Sequence, residues 1–162
     1  MPSIKVDGMD EVFSKLKALG ENIEPIQKVA VYNGMAVIRD EIVRQIRDLP
    51  AQNGYLEKKE LPRNVITDRE KSELIKHIGI AQMDNKDGTV STRISFDGYT
   101  NIQTKAYPKG IPAILIARAI NSGSSVRNKI PFIRMAQAAA KSKAIDAATK
   151  AAYDELQKIM EG

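Results

Sequence analysis

Few side chains in this sequence are placed to do acid–base or nucleophilic chemistry. His77 is the only histidine, and it lies between Ile75 and Ile78 in a run typical of a strand. A lone histidine without an orienting partner in the sequence is a poor general base, so we expect a packed or surface strand residue. The chain also has no cysteine and no Gly-x-Ser-x-Gly elbow. The sequence therefore predicts that the protein is not an enzyme, with a hydrolase of unrecognised site as the remote alternative.

Metal and cofactor chemistry is equally unsupported by the spacing of residues. The acidic turn at residues 84–88 could suggest a calcium loop, with Gly88 in its sixth position. The first and twelfth positions would then be Met83 and Ile94, so two required carboxylates are missing. No glycine-rich phosphate-binding motif occurs. We expect no metal and no cofactor.

Basic residues and tyrosines alternate in one short stretch of the chain. Lys105, Tyr107 and Lys109 form a small basic–aromatic loop pattern, and several further cations follow it (Arg118, Arg127, Lys129 and Arg134). Such a pattern is a weak signal for nucleic acid, and a formal net charge of +5 favours acidic partners. A small basic DNA-binding or regulatory protein is therefore the alternative function. The positive residues are nevertheless scattered along the chain, and most have acidic neighbours at helical spacing, which is typical of a solvated face.

The elements that must position these residues form one expected domain, 1–162. A 43% hydrophobic content with 5% aromatic residues predicts an aliphatic core. Apolar periodicity and capping residues predict helices over residues 9–19, 22–49, 113–122 and 131–160. Two strands, at 74–82 and 89–97, flank a turn, and residues 50–72 form a long polar loop. The predicted fold class is α+β, with long N-terminal and C-terminal helices packed on a small antiparallel sheet. No run is long enough for a membrane span, so we expect no membrane partner.

The helix predicted over residues 22–49 has apolar residues on more than one face. Either the helix is sandwiched within the fold, or its outer stripe meets another subunit. We interpret the surplus as the second case, with Met35, Ile38, Ile42 and Ile46 as the interface candidates. Gly34 lies in the middle of this helix, where glycine costs about 1 kcal/mol relative to alanine. A close approach of another helix at Gly34 is therefore expected.

Several short motifs, in order along the chain, resemble those of a known family. They are 6–11 (Val-Asp-Gly-Met-Asp-Glu), the acidic and basic stretch 36–47, Ile78-Gly79-Ile80, 97–110 (Asp-Gly-Tyr through Tyr-Pro-Lys-Gly), and 116–123 followed by Pro131-Phe132-Ile133-Arg134-Met135-Ala136. In this order the chain resembles the tail-completion, or minor tail-component, proteins of long-tailed phages and prophages. Three features depart from the family pattern. Asn121-Ser122-Gly123-Ser124 replaces Glu-x-Gly-Thr, Met135 replaces a common proline, and the Asp-Thr-Gly-x-Leu-Arg turn is absent.

The resemblance implies a structural role in the virion, in the head–tail neck, with assembly in the host cytoplasm. It implies a self-associating ring, expected to be a hexamer, that joins the tail tube to the connector and lets DNA pass. The expected partners are other copies of the chain and the neighbouring neck, tail-tube and connector proteins, with nonspecific contact to DNA in the lumen. We expect the loops 50–72 and 99–111 to make subunit or neck contacts. Further interface candidates are Tyr99, Lys105, Tyr107, Arg118, Arg127 and Lys129.

Overall fold

The computed structural model of the chain describes residues 23–52 and 63–161. These residues form four helices and six short strands, numbered here in chain order. They are α1 (Ile23–Asp48), β1 (Ala51–Gln52), β2 (Ile66–Thr67), α2 (Asp68–His77), β3 (Ile78–Ile80), β4 (Asp84–Lys86), β5 (Thr89–Ser91), β6 (Ile94–Phe96), α3 (Ala113–Ser122) and α4 (Phe132–Glu161). The α+β prediction, with a long first and a long last helix, is confirmed within this part of the chain. The helix predicted over 9–19 and the 6–11 motif lie outside the described residues.

The strands form three separate pairs. Strands β4 and β5 are antiparallel, with Asp84 opposite Ser91, and their turn at Asp87 and Gly88 has positive φ at both positions (53° and 79°). Strands β3 and β6 form a second pair. Strands β1 and β2 are parallel, with Ala51 opposite Ile66. The strand predicted over 89–97 is therefore divided between β5 and β6.

Residues 50–72 were predicted to form a polar loop, but helix α2 begins within this stretch. Thr67 caps α2: its hydroxyl accepts a hydrogen bond from Glu70 N, and the Glu70 carboxylate accepts one from Thr67 N. This reciprocal arrangement satisfies two amides that a helix N-terminus would otherwise leave unpaired. The helix continues to His77, so the predicted strand 74–82 is wrong in its first half. His77 ends a helix and does not belong to a strand.

The chain packs as two compact units, and the prediction of a single domain stays a prediction. The first unit contains residues 23–39, 80–94 and 139–161 of the described chain. Its apolar cluster joins Ile26 and Ala30 to Ala148 and Ala152. A Cβ at Gly34 would lie 3.1 Å from Ala144 O and 3.2 Å from Ala148 Cβ. The close helix approach expected at Gly34 is therefore confirmed.

The buried face of α4 matches the one predicted only in part: Ala148 and Ala152 are buried, and Leu156 packs against their cluster. The sequence pattern predicted a face with Ala138, Ile145, Ala148, Ala152, Leu156 and Ile159. The structure buries the alanines that recur every four residues, namely Ala136, Ala140, Ala144, Ala148 and Ala152. Ala138 and Ile159 are exposed. The smallest side chains face inward because α1 lies close to α4 at Gly34.

The second unit, residues 40–52, 63–79 and 95–138 of the described chain, has larger side chains in its core. Phe132 is fully buried, and its ring meets that of Phe96 edge to face at a centroid distance of 6.4 Å. Ile66, Leu74 and Ile120 are also almost completely buried. The first residue of α4 is thus a central core residue of this unit.

The apolar stripe proposed as a subunit interface is buried within its own chain. Met35, Ile38, Ile42 and Ile46 each expose 3% of their surface or less. The prediction that these four residues present apolar surface to another subunit is therefore wrong. The periodicity of the sequence correctly indicated that α1 is apolar on more than one face. The chain itself buries more than one of these faces.

Candidate interaction surface

Helix α2 carries two buried carboxylates on one face. Glu70 and Glu73 each expose 5% of their surface, and residues three apart lie on the same side of a helix. Burying a carboxylate is unfavourable unless hydrogen bonds or an opposite charge compensate. Each of these two side chains finds its partner in a different loop of the second unit.

Glu70 binds the loop at residues 123–130. Its Oε1 accepts a hydrogen bond from Arg127 Nη2, and the two side chains are largely buried together. Arg127 Nη1 is buried without a hydrogen-bond partner within the described residues. Arg127 was predicted as an interface cation, but its charge is used inside the chain to attach this loop to α2.

Glu73 binds the loop at residues 97–112. Its Oε2 accepts a hydrogen bond from Asn101 N at 2.9 Å. The Asn101 side chain is held in turn by Arg69, whose Nε donates to Asn101 Oδ1 at 2.9 Å. One turn of α2 therefore fixes the beginning of this loop through a carboxylate and a guanidinium.

His77 makes a third attachment at the end of α2. Its Nδ1 lies 2.7 Å from Asp97 O, and its Nε2 lies 3.4 Å from Glu73 Oε2. Because a carbonyl oxygen can only accept, Nδ1 carries a proton in this hydrogen bond. In the neutral ring, Nε2 then faces Glu73 without a proton.

The 97–112 loop is closed by its own backbone hydrogen bonds. Thr100 N and Thr100 Oγ1 both donate to Ile111 O, at 2.9 and 2.8 Å, and Ile111 N donates to Ile102 O at 2.8 Å. Gly110 has φ of 108°, and a Cβ there would lie 1.8 Å from Thr100 O. Only glycine allows this backbone approach. The loop is therefore an ordered platform, although most of its side chains are exposed.

The 123–130 loop is attached at both ends as well as through Arg127. Gly123 ends α3 with φ of 79° and packs against the backbone of Lys129. Asn128 N donates to Arg63 O at 2.8 Å. Helix α3, which runs between the two loops, packs against α2. We call the two loops and α3 together the loop face.

The loop face presents most of the predicted contact residues to solvent. Tyr99 is 62% exposed and Tyr107 is 39% exposed. The exposed cations of the same segment are Lys105, Lys109, Arg118, Lys129 and Arg134. None of these five forms an ion pair with any residue in the described ranges. The structure thus brings six of the predicted residues into one unit, five of them exposed and Arg127 internal.

The excess positive charge of the protein lies in this segment. Residues 95–138 contain six lysines and arginines and a single acidic residue, Asp97, which gives a formal charge of +5. The rest of the chain has nineteen basic and nineteen acidic residues, so it is neutral. The sequence-based interpretation of scattered, paired charges is therefore wrong for this segment.

The ion pairs with resolved pKa shifts are exposed pairs within single helices. The hydrogen bond from Lys28 lowers the pKa of Glu24, and the one to Glu41 raises the pKa of Arg44. A hydrogen bond to Glu155 likewise raises the pKa of Lys158. Such exposed pairs contribute little to stability because solvent screens them.

The loop face offers an exposed surface of tyrosines and cations. Within the described residues there is no group of three or more histidine, aspartate or glutamate side chains placed to hold a metal ion. No helix in the same residues is long and apolar enough to cross a membrane. The arrangement can bind a partner through tyrosines and cations on a fixed backbone.

The sequence reasoning missed the carboxylates that build this surface. The signal for α2 was present, because Thr67 and Glu70 have the spacing of a capping box. The ion pair between Glu70 and Arg127 joins residues 57 positions apart, and no local pattern indicates it.

The chain was compared with protein-family models, with curated proteins and with solved structures, and no match was found.

Proposed function

We propose that this chain is a tail-completion subunit of the head–tail neck of a long-tailed phage or prophage. It forms a ring, a hexamer in this proposal, that joins the tail tube to the connector and leaves a passage for DNA. Its place of action is the virion, and the host cytoplasm is where it is assembled. The proposal rests on the order of motifs along the chain, from Ile78-Gly79-Ile80 to the segment beginning at Pro131.

The motifs that resemble those of the phage family have structural roles in this fold. The 116–123 motif forms most of α3 and ends at Gly123, and Phe132 is fully buried at the start of α4. The 97–110 motif forms the closed loop with Gly110 at its base. These motifs determine backbone geometry and packing, which fits an assembly protein better than a catalyst.

The structural observation that supports a contact between subunits is the ordered loop face with its exposed tyrosines. Tyrosine is enriched at protein interfaces because it buries a large area and loses little side-chain entropy. Loops that are already fixed, as here by Glu70 and Glu73, lose less entropy when they bind. Since the α1 stripe is buried, the loop face replaces it as the proposed contact between subunits.

Light scattering coupled to size-exclusion chromatography tests the ring. We expect the full chain to form a discrete oligomer at high protein concentration, and the Tyr99→Ala/Tyr107→Ala variant to shift toward the monomer. Tyr153→Ala is the matched control, because Tyr153 is 57% exposed on α4 in the first unit. A chain that stays monomeric at the highest attainable concentration would contradict the ring. An oligomer equally weakened by both variants would contradict the loop-face contact.

The alternative, a small basic DNA-binding or regulatory protein, is favoured by the cations of the loop face, which form no ion pair with the residues that the structure describes. The two functions differ in their response to salt. Ring formation through tyrosines should change little as salt rises, whereas DNA binding should weaken steeply. A monomer that prefers one DNA sequence over others would support the alternative.

A further inference from the structure

The dipeptide aspartate–glycine occurs twice in the part of the chain that the structure describes, at Asp87-Gly88 and at Asp97-Gly98. Both aspartates are exposed, and both glycines have positive φ, 79° and 85°. Glycine has no side chain to shield its backbone nitrogen, so the carboxyl group of the preceding aspartate can approach this nitrogen. The two dipeptides therefore offer the same chemistry in different surroundings.

The turn between β4 and β5 leaves the reacting atoms of Asp87-Gly88 free. No hydrogen bond or ion pair joins the Asp87 carboxylate or Gly88 N to another residue in the ranges 23–52 and 63–161. A Cβ built on Gly88 would have no atom within 4 Å, so there is open space beside the peptide bond. In the same ranges Asp87 is the only residue other than glycine with positive φ, 53°. This left-handed conformation is unfavourable for a residue with a side chain.

The same atoms of Asp97-Gly98 are held in place by hydrogen bonds. Asp97 Oδ2 accepts a hydrogen bond from Ser95 Oγ at 2.7 Å, and Asp97 N donates to His77 O at 3.0 Å. Asp97 O pairs with His77 Nδ1 at 2.7 Å, and Gly98 O accepts from Ala113 N at 3.0 Å. The Asp97 carboxyl group must therefore break its bond to Ser95, and the backbone around it must shift, before it can turn toward Gly98 N.

We propose that Asp87 is a site of spontaneous isomerisation to isoaspartate. Gly88 N attacks Cγ of the protonated Asp87 carboxyl group and loses its proton, a C–N bond forms, and the carboxyl hydroxyl leaves as water. Water then opens the resulting succinimide ring at the former backbone carbonyl, so that the main chain continues through Cβ and Cγ. The water released in the first step is taken up in the second. The reaction therefore needs no other reactant and leaves the mass of the chain unchanged.

The surroundings of the turn accommodate the product. Isoaspartate adds one atom to the main chain, so residue 87 gains a rotatable bond and is no longer confined to a left-handed φ. The product keeps one negative charge, now on the α-carboxylate. Exposed loop tips tolerate changes of the backbone better than other positions do. We therefore expect isoaspartate to accumulate at this turn while the protein stays folded.

Peptide mapping of the folded chain before and after long incubation at physiological temperature tests this site. Endoproteinase Asp-N cleaves before aspartate but not before isoaspartate, so isomerised Asp87 leaves the peptide 84–96 uncut. Isomerised Asp97 leaves the bond before residue 97 uncut. We expect the uncut fraction to grow at least about tenfold faster at Asp87, because reaction at Asp97 first requires the loss of several hydrogen bonds. Asp7-Gly8 and Asn53-Gly54 lie outside the described residues and are measured on other peptides.

Incubation in guanidinium chloride separates the effect of the fold from that of the neighbouring sequence. Both dipeptides lose their surroundings in the unfolded chain, and we expect their rates to become similar. In the folded chain, Ser95→Ala removes the hydroxyl that holds the Asp97 carboxylate. This variant should accelerate isomerisation at Asp97 and leave the rate at Asp87 unchanged.

Three results would overturn the proposal. They are no isoaspartate at Asp87 in the folded chain, a rate at Asp97 equal to that at Asp87, and a difference between the two that persists in the denaturant. An unchanged rate at Asp97 in the Ser95→Ala variant would also contradict it, because the bond to Ser95 would then not be what restrains the carboxyl group.

Discussion

The two units of the protein differ in the size of their core side chains and in their net charge. The first unit packs two helices through alanines and Gly34, and its described residues include eight basic and seven acidic ones. The second unit packs phenylalanine and isoleucine side chains, and its described residues include twelve basic and seven acidic ones. Small side chains permit the close helix contact at Gly34. In the second unit, the buried carboxylates of Glu70 and Glu73 anchor the two loops to α2. The proposed contact surface lies in the unit that has those anchors.

Truncation should damage the second unit most at Phe132. Phe132→Ala removes a fully buried ring and its edge-to-face contact with Phe96. We expect it to lower the free energy of unfolding by about 3–5 kcal/mol. Urea denaturation followed by circular dichroism measures this change. Val126→Ala is the control, since Val126 is more than half exposed in the same unit, and an equal loss there would refute the assigned core.

Replacement of Glu70, which anchors the 123–130 loop to α2, should have the next largest effect on the free energy of unfolding. Glu70→Ala leaves Arg127 without its buried partner and deletes one half of the α2 cap. We expect a loss of about 3 kcal/mol in the free energy of unfolding, at the lower end for a broken buried pair. The same urea experiment measures it, and hydrogen exchange should show faster exchange over residues 123–130.

Glu155→Ala serves as the control for the anchor, because its partner Lys158 is well exposed on the same helix. The control should change stability little, as solvent-exposed ion pairs usually do. If Glu70→Ala were as mild as this control, the loops would not depend on α2 for their position.

Enlargement should damage the first unit, in contrast to the second. Ala148→Leu places a larger side chain where Gly34 and Ala148 are already in close contact. We expect overpacking to cost about 1–3 kcal/mol in the free energy of unfolding. Ala139→Leu adds the same side chain at an exposed position of α4 and should be nearly neutral. A tolerated Ala148→Leu would show that the two helices can separate, and would remove the contrast between the units.

Elements that are bounded by proline or glycine were predictable from the sequence. Helix α3 was predicted at residues 113–122, and it has these bounds because Pro112 precedes it and Gly123 ends it with positive φ. The turn at Asp87 and Gly88 was recognisable because aspartate and glycine are typical turn residues, and both have positive φ here. Helix α2 was missed because its composition is highly charged, and only its capping spacing indicated a start.

Long-range features of the candidate site were not predictable from the sequence. The exposure of Tyr99 and Lys105 followed from their polar loop, and those predictions agree with the structure. The burial of Ile42 and Ile46 did not follow, because periodicity cannot show what covers a helix face. The internal use of Arg127 depends on a carboxylate far away in sequence, which only the folded chain brings near.

The β4–β5 hairpin gives access to the protein without disturbing either core. A Cβ at Gly88 would have no atom within 4 Å, and the neighbouring residues of the turn are exposed. Tips of this kind tolerate inserted sequence best. A short epitope or fluorophore-binding tag placed between Asp87 and Gly88 would therefore report the location of the protein and would leave the sequence of the loop face unchanged.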